Sequence, residues 1–449
     1  MSHLLSTLSS WLIAIIGLST LIISDASAAD ALADWTILIY MNGKNSLASY
    51  AVNNFLDIAK VQDINQVNIL VEIGRPETQT NVGRNPEEWG GARRYKMKRG
   101  TTLASTPVLD LGSSGPATDM GVPATLEDFI QWSVANYKAR HYAVVISSHG
   151  QGYRFQIQSD GSTTESQVSN TLAPPVSGGF RSVSVDDNSQ HTLYNRQIQV
   201  VLESLLTKGI KIDVIGFDAC SMAMIETAFA MRYGAKYMIA SEELEPDSGW
   251  DYSGWLSAFL QLVQKGGEQT DQALALGKFI VSTYQQQGDS SSKTLSVVDL
   301  SKIEALAGTV AGVATGLISG LQSQRASIQR ARDSDRWFGM ENGQPSTSVD
   351  LAYLLTRLSE ETSDSGLKAL ALSARASVRD AIVFSYASRM TKTENLGGEG
   401  LAIFFPPTAT DFHRDPNSSG YLRSNRVQPV EFVQTNDWSR FIAEYLGVR

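Results

Sequence analysis

The stretch 212-IDVIGFDACSMAMIETA-228 decides how the chain is read. A short apolar run leads to Asp218, Ala219 and Cys220, and apolar residues at helix-like spacing follow at once. Such a run, abutting a helical pattern, is the signature of a buried strand in a layered α/β sheet. Cys220 is the sole cysteine among 449 residues, so no internal disulfide can form. Three uses remain for it: a buried small hydrophobe, an intermolecular bridge, or a reactive thiol.

Outward from this stretch the pattern repeats. The segments 35-WTILIYMNG-43, 67-VNILVEIG-74, 142-YAVVISSHG-150 and 236-KYMIASEE-243 are further apolar runs of strand length. Between them, 46-SLASYAVNNFLDIA-59, 126-LEDFIQWSVANY-137 and 194-YNRQIQVVLESLLTKG-209 carry apolar residues at helical spacing. Thr125 with Asp128 reads as a capping box, and Lys208-Gly209 as a helix stop. The pieces 92-ARRYKMKR-99 and 106-TPVLDLG-112 suggest a small antiparallel excursion. The whole predicts an α/β fold with a mostly parallel sheet flanked by helices.

In open α/β sheets, sites form beyond the carboxyl ends of the strands. Two loops meet that condition, 147-SSHGQG-152 and 218-DAC-220. Of the five histidines, only His149 sits in a glycine-flanked turn at a strand's carboxyl end. If its strand neighbours that of Cys220, imidazole and thiol come within reach, and His149 can act as the base that a thiol near pKa ~8.5 requires. The helix expected from about Ser221 would add its positive end, and the open backbone at Gly150 could present an N–H to an oxyanion. The bland alternative for His149 is a satisfied core or turn histidine. Asp218 lies two residues before Cys220, so in an extended strand both project from one face. It reads as a carboxylate for a cationic substrate side chain or as an N-cap of the following helix.

Composition sets the surroundings. A 42% hydrophobic content, a net charge of −9 and a pI near 5.2 suit a globular protein and argue against nucleic acid as the main partner. The one basic cluster, 93-RRYKMKR-99, alternates charge with Tyr95 and Met97 and reads as a solvated or blunted edge strand. The run 11-WLIAIIGLSTLII-23 is short of the roughly 20 residues of a membrane span, and 26-ASA-28 follows as a small-x-small cleavage site. These features predict a signal peptide over 1–28, export to the periplasm or the extracellular space, and no stable span after signal removal. No Lys or Arg precedes the run, which keeps an uncleaved anchor as the alternative.

The chain resembles the clostripain family of cysteine peptidases, in the clan that includes caspases and gingipains. The resemblance rests on 35-WTILIYMNGKNSL-47, 121-GVPATLEDFIQW-132, 142-YAVVISSHGQGY-153, 216-GFDACSMAMIETA-228 and 239-IASEELEPDSGWDY-252. It continues through 295-LSVVDLSKI-303, 348-SVDLAYLL-355, 399-EGLAIFFPP-407 and Trp438. It implies a caspase-like fold, His149 as base, Cys220 as nucleophile, Gly150 in the oxyanion site, and Asp218 in a pocket for Arg or Lys. Protein or peptide substrates with basic residues are the implied partners. The segment 242-EELEPD-247 is either a cation site or a solvated acidic loop. Some relatives use calcium, so calcium is a candidate cofactor, although no EF-hand spacing is present.

Domain organisation follows: a peptidase core over 29–300, then a helix-rich carboxyl-terminal region over 301–449 packed on it. The carboxyl-terminal region opens with the Ala/Gly-rich pattern 303-IEALAGTVAGVATGLISGLQSQ-324. Residues 155–181 interrupt the core with a Ser/Thr/Gly/Gln-rich stretch, expected to be a mobile loop. Competing readings are a catalytically silent exported binding protein on the same fold, or transpeptidation by the same pair. Arg154 and Arg181 bracket the 155–181 loop with no Lys or Arg between them. Wild-type protein is therefore expected to run as two fragments on a denaturing gel, cut after one of these arginines. The Cys220→Ala protein should stay intact. An active single chain would refute self-processing.

Overall fold

Alternation in the first strand sets the layering. In β1 (Ala33–Asn42), Ile37, Ile39 and Met41 join one buried cluster while Leu38 and Tyr40 join another, all fully buried. A strand apolar on both faces needs cover on both. The structure is a computed structural model. It describes residues 32–77, 87–150, 152, 183–266, 271–288, 292–334, 338, 340–341, 344–345, 347–388, 398–414, 418–423 and 431–448. The described residues from Ala33 onward form one compact unit.

The first strands after β1 are β2 (Val67–Arg75), β3 (Gly91–Lys96), β4 (Leu109–Asp110), β5 (Ala139–Ser147), β6 (Ser184–Asp186) and β7 (His191–Leu193). Then come β8 (Ile212–Asp218), β9 (Ala235–Ala240), β10 (Thr294–Asp299), β11 (Met340–Glu341), β12 (Gln344–Pro345), β13 (Ser348–Asp350), β14 (Ile382–Ala387) and β15 (Ala402–Phe404). Nine of them form one sheet in the order β14-β10-β9-β8-β5-β1-β2-β3-β4. The five central strands, β9 to β2, are parallel, and the two strands at each margin are antiparallel. The sheet is thus mixed, with the parallel centre that the apolar runs predict.

The first helices are α1 (Ala48–Ile58), α2 (Pro123–Asn136), α3 (Asn195–Thr207), α4 (Ile225–Met231), α5 (Tyr252–Gln264) and α6 (Gln272–Gln286). After β10 follow α7 (Ile303–Ser319), α8 (Leu321–Asp333), α9 (Leu351–Glu361) and α10 (Ser365–Ala381). Buried side chains of α1, α5 and α6 share a cluster with Ile37, Val145, Val214 and Ile239. Those of α2, α3, α4 and α7 share the opposite cluster with Leu38, Val144, Ile215 and Met238. Trp255 and Phe259 on α5 are fully buried, each contributing on the order of 2–3 kcal/mol by removal from water.

The chain after residue 300 contributes to the second cluster and reaches the segment behind the cysteine. Ala402 N–H donates to the Ala223 carbonyl at 2.8 Å. Phe404 N–H and the Tyr421 hydroxyl donate to Glu226 of α4 at 3.0 and 2.6 Å. Glu226 is fully buried, and desolvation lifts its carboxyl to about 7. The long 303–324 helical pattern is broken at Gly320 into α7 and α8.

Two local expectations are corrected. Helix α2 begins at Pro123 rather than Thr125, because proline's fixed φ suits the first turn. Asp128 is therefore not a cap; its carboxylate accepts from Arg94 at 2.7 Å. The basic stretch 93–99 is also not simply solvated. Arg94 is 1% exposed and bonds Glu72 at 2.5 Å, and Tyr95 and Met97 are buried. Burial drives the arrangement: β3 lies inside the sheet, covered at its outer edge by β4.

This buried pair generates a stability expectation. Arg94→Leu strands the fully buried Glu72 carboxylate and should cost roughly 3–5 kcal/mol, because an unpaired buried charge is heavily penalised. Adding Glu72→Leu should recover most of the loss in urea unfolding. Equal destabilisation of single and double variants would show that shape, not charge, is what Arg94 supplies.

Candidate active site

Strand order brings the two candidate loops together. Strands β5 and β8 are adjacent and parallel, with Ser147 opposite Asp218. Beyond those ends, His149 and Cys220 line one cavity of about 50 Å³ with Asp218, Glu245, Asp247 and Tyr50. Gly150 seals the contact between the loops. A Cβ there would stand 2.3 Å from the Cys220 carbonyl oxygen and 2.6 Å from the Cys220 nitrogen. No side chain fits at that approach, so glycine is the residue that permits it.

The cysteine does not sit at a helix start. β8 stops at Asp218, Ser221 adopts φ 58°, and α4 begins only at Ile225. The expected positive helix end next to the thiol is thus displaced by several residues. The backbone instead pairs with the loop after β9: Ser221 N–H donates to Glu243 O at 3.1 Å, and Ala223 N–H to Ser241 O at 2.8 Å. A non-glycine residue at positive φ is uncommon, and these bonds hold it there.

The same loop surrounds the thiol. Glu245 N–H donates to Cys220 Sγ at 3.3 Å. Burial pushes the Cys220 thiol up to about 12, with Glu245, Asp218 and Asp247 carboxylates adding to the rise. In this arrangement the thiol is protonated at neutral pH, opposite to the direction a helix end would give.

Asp218 is not an N-cap. It is 4% exposed, accepts the Tyr252 hydroxyl at 2.7 Å and the Ser147 hydroxyl at 3.1 Å, and lies beneath Gly249. A Cβ on Gly249, which has φ +62°, would fall 2.6 Å from Asp218 Oδ1. Burial raises the Asp218 carboxyl; its hydrogen bonds oppose that rise. Glu245, bonded by Trp250 Nε1–H at 3.2 Å, is raised well above the usual range by burial and then by Asp218. Its buried Oε2 meets no N–H or O–H donor. One proton shared between the two carboxyls would satisfy that oxygen and avoid two adjacent buried charges.

The acidic segment 242–247 is only partly solvated: Glu242 and Glu243 are buried while Asp247 is exposed. Glu242 Oε2 accepts Gly400 N–H at 2.9 Å, and Glu243 Oε1 accepts Leu244 N–H at 2.9 Å. Among the described residues, no three His, Cys, Asp or Glu side chains converge as a metal site would. Asp213 is structural, bonding His141 Nδ1 at 3.1 Å and Tyr142 N–H at 3.0 Å. Arg154, Arg181 and the whole of the 155–181 loop lie outside the described residues. Sequence reading passed over Tyr252 and Ser46, whose hydroxyls meet Asp218 and His149; nothing in their local pattern marks them. Glu245 was visible only as part of an acidic run.

Histidine and cysteine loops on neighbouring parallel strands, here within a nine-stranded mixed sheet, match the arrangement of caspase-like cysteine peptidases. The family model for peptidase C11, the clostripain family, matches residues 39–445, and the chain belongs to that family. It is 22% identical over 435 residues to clostripain of Hathewaya histolytica, covering 87% of this chain and 77% of the relative. A secreted C11 cysteine protease from Bacteroides thetaiotaomicron, solved with an irreversible peptide inhibitor, superimposes with TM-score 0.61 at 17% identity. The match covers 91% of this chain and 99% of that one. An inactive zymogen C11 protease from Parabacteroides distasonis gives TM-score 0.60 at 16% identity, over 90% and 98%. The protein is thus a cysteine peptidase of the clostripain family, and the solved structures share its fold. Among the described residues, no helix is long and apolar enough to cross a membrane.

The charge around the thiol is open to measurement. The midpoint of the pH dependence of Cys220 alkylation by iodoacetamide should fall in the Asp218→Asn/Glu245→Gln double variant, because removing negative charge favours thiolate. Each single variant should shift it less, since the remaining carboxyl sheds the shared proton and keeps one charge. A double variant with an unmoved midpoint would exclude carboxylate control of the thiol.

Proposed function

We propose that this protein is an exported endopeptidase that cleaves after Arg or Lys, with Cys220 as nucleophile and His149 as base. One observation carries the reading: His149, Cys220 and a buried acidic pair line the same cavity at the carboxyl edge of the sheet. The thiol proton passes to His149 as Sγ attacks the scissile carbonyl, and the oxyanion forms near the Gly150 N–H. The C–N bond then breaks as His149 returns the proton to the leaving amine. Water, deprotonated by His149, hydrolyses the thioester and restores the thiol. A protonated resting thiol fits this order, in which transfer and attack occur together.

Asp218 and Glu245 are suited to a cationic side chain. An arginine or lysine entering the pocket replaces the shared proton as the partner of both carboxylates, so no buried charge is left unpaired. Export is supported by the apolar run 11–23 and the 26-ASA-28 site. The proposal includes self-processing within 155–181, after Arg154 or Arg181, on the basis of the sequence.

Cys220→Ala should abolish peptide cleavage in a folded protein. Asp218→Asn keeps size and removes charge. It should reduce kcat/KM for an Arg peptide by an amount equivalent to roughly 2–5 kcal/mol, the cost of truncating one side of a buried charge pair. Cleavage after a neutral residue should change far less. Equal losses for both peptides would make Asp218 a support for the nucleophile rather than a selector of cations. Full activity of Cys220→Ala would overturn the mechanism.

A further inference from the structure

The loop after β1 matches the histidine loop residue for residue. Asn45 Nδ2–H donates to Ser148 Oγ at 3.1 Å, and Ser46 Oγ lies 2.9 Å from His149 Nε2. Two consecutive residues thus contact two consecutive residues, beyond the β1–β5 pairing that ends at Met41 opposite Ser147. Further bonds hold the loop. Asn45 Nδ2 also donates to the carbonyls of Asn42 at 3.1 Å and Val185 at 2.9 Å, and Asn45 Oδ1 accepts Leu47 N–H at 2.8 Å. Asn42 in turn donates to Ser184 Oγ and Val185 O at 2.9 and 2.8 Å. Ser46 is exposed, yet its backbone is placed by this buried mesh.

We propose that Ser46 is a positioning residue for His149, a proposal that rests on His149 being the base. In the proposed arrangement Ser46 Oγ, 2.9 Å from Nε2, accepts from Nε2–H, which leaves Nδ1 unprotonated as the atom that takes the thiol proton. When the imidazolium forms, Nε2 keeps its proton and its bond, so one contact orients the ring through both halves of the reaction. The ionisable groups lining the same cavity are Cys220, Asp218, Glu245, Asp247 and Tyr50. Among the described residues none of these is a cation, so the transient imidazolium forms in an acidic surround, and Ser46 adds direction rather than charge.

The test compares Ser46→Ala, Ser46→Thr, His149→Ala and Ser46→Ala/His149→Ala in the full-length chain, with an Arg-containing peptide. Ser46→Ala should lower kcat roughly three- to tenfold, the worth of one ordinary hydrogen bond, with KM unchanged. The acid limb of its kcat–pH profile should move to lower pH, because the imidazolium has lost an acceptor. Ser46→Thr, which keeps the hydroxyl, should restore both. The double variant should be no slower than His149→Ala, since Ser46 acts only through the ring. An unchanged kcat and profile in Ser46→Ala, beside an inactive His149→Ala, would overturn the positioning role and leave the base assignment standing. A failed rescue by threonine in folded protein would also overturn it. Near wild-type activity of His149→Ala would instead remove the base assignment on which the proposal rests.

Discussion

The parallel pairing of β5 with β8 is the constraint on which the site depends. Its register sets Ser147 against Asp218, and both chains then leave the sheet at the same level. His149 and Cys220 follow within two residues of those ends, so the loops have little freedom to separate them. Gly150 adds a steric condition, because its backbone lies against that of Cys220 with no room for a Cβ. A slip of one residue in β5 or β8 would turn every side chain to the opposite face. It would place Val144 and Ile215 among residues packed by α5 and α6, and it would break the loop contact.

Around this pairing the protein accepts an electrostatic cost. Asp218 and Tyr252 are buried with the half-buried Glu245 beside them, and desolvation raises the proton affinity of each. The thiol shares that environment and is raised as well. The carboxyls beside the thiol thus favour its neutral form. Elements distant in sequence maintain the arrangement: Gly400 N–H bonds Glu242, and Ala402 N–H bonds the Ala223 carbonyl.

Much of this was legible in the chain before folding was considered. Apolar runs at strand length, alternating with helical spacing, determined the α/β layering, because both periodicities are properties of local backbone geometry. The single cysteine and the glycine-flanked histidine, each at a strand's carboxyl end, marked the candidate pair for the same reason. What local pattern leaves open is which strands are neighbours. Only the tertiary structure made β5 and β8 adjacent, buried Arg94 against Glu72, and began α4 at Ile225 instead of Ser221. It also decided the protonation of the site. Besides Asp218 nearby, the thiol's affinity for its proton depends on burial and on charges 25 and more positions away, such as Glu245, which no reading of the residues beside Cys220 contains. Ser46 is the same case: its distance from His149 is 103 residues along the chain and 2.9 Å across the fold.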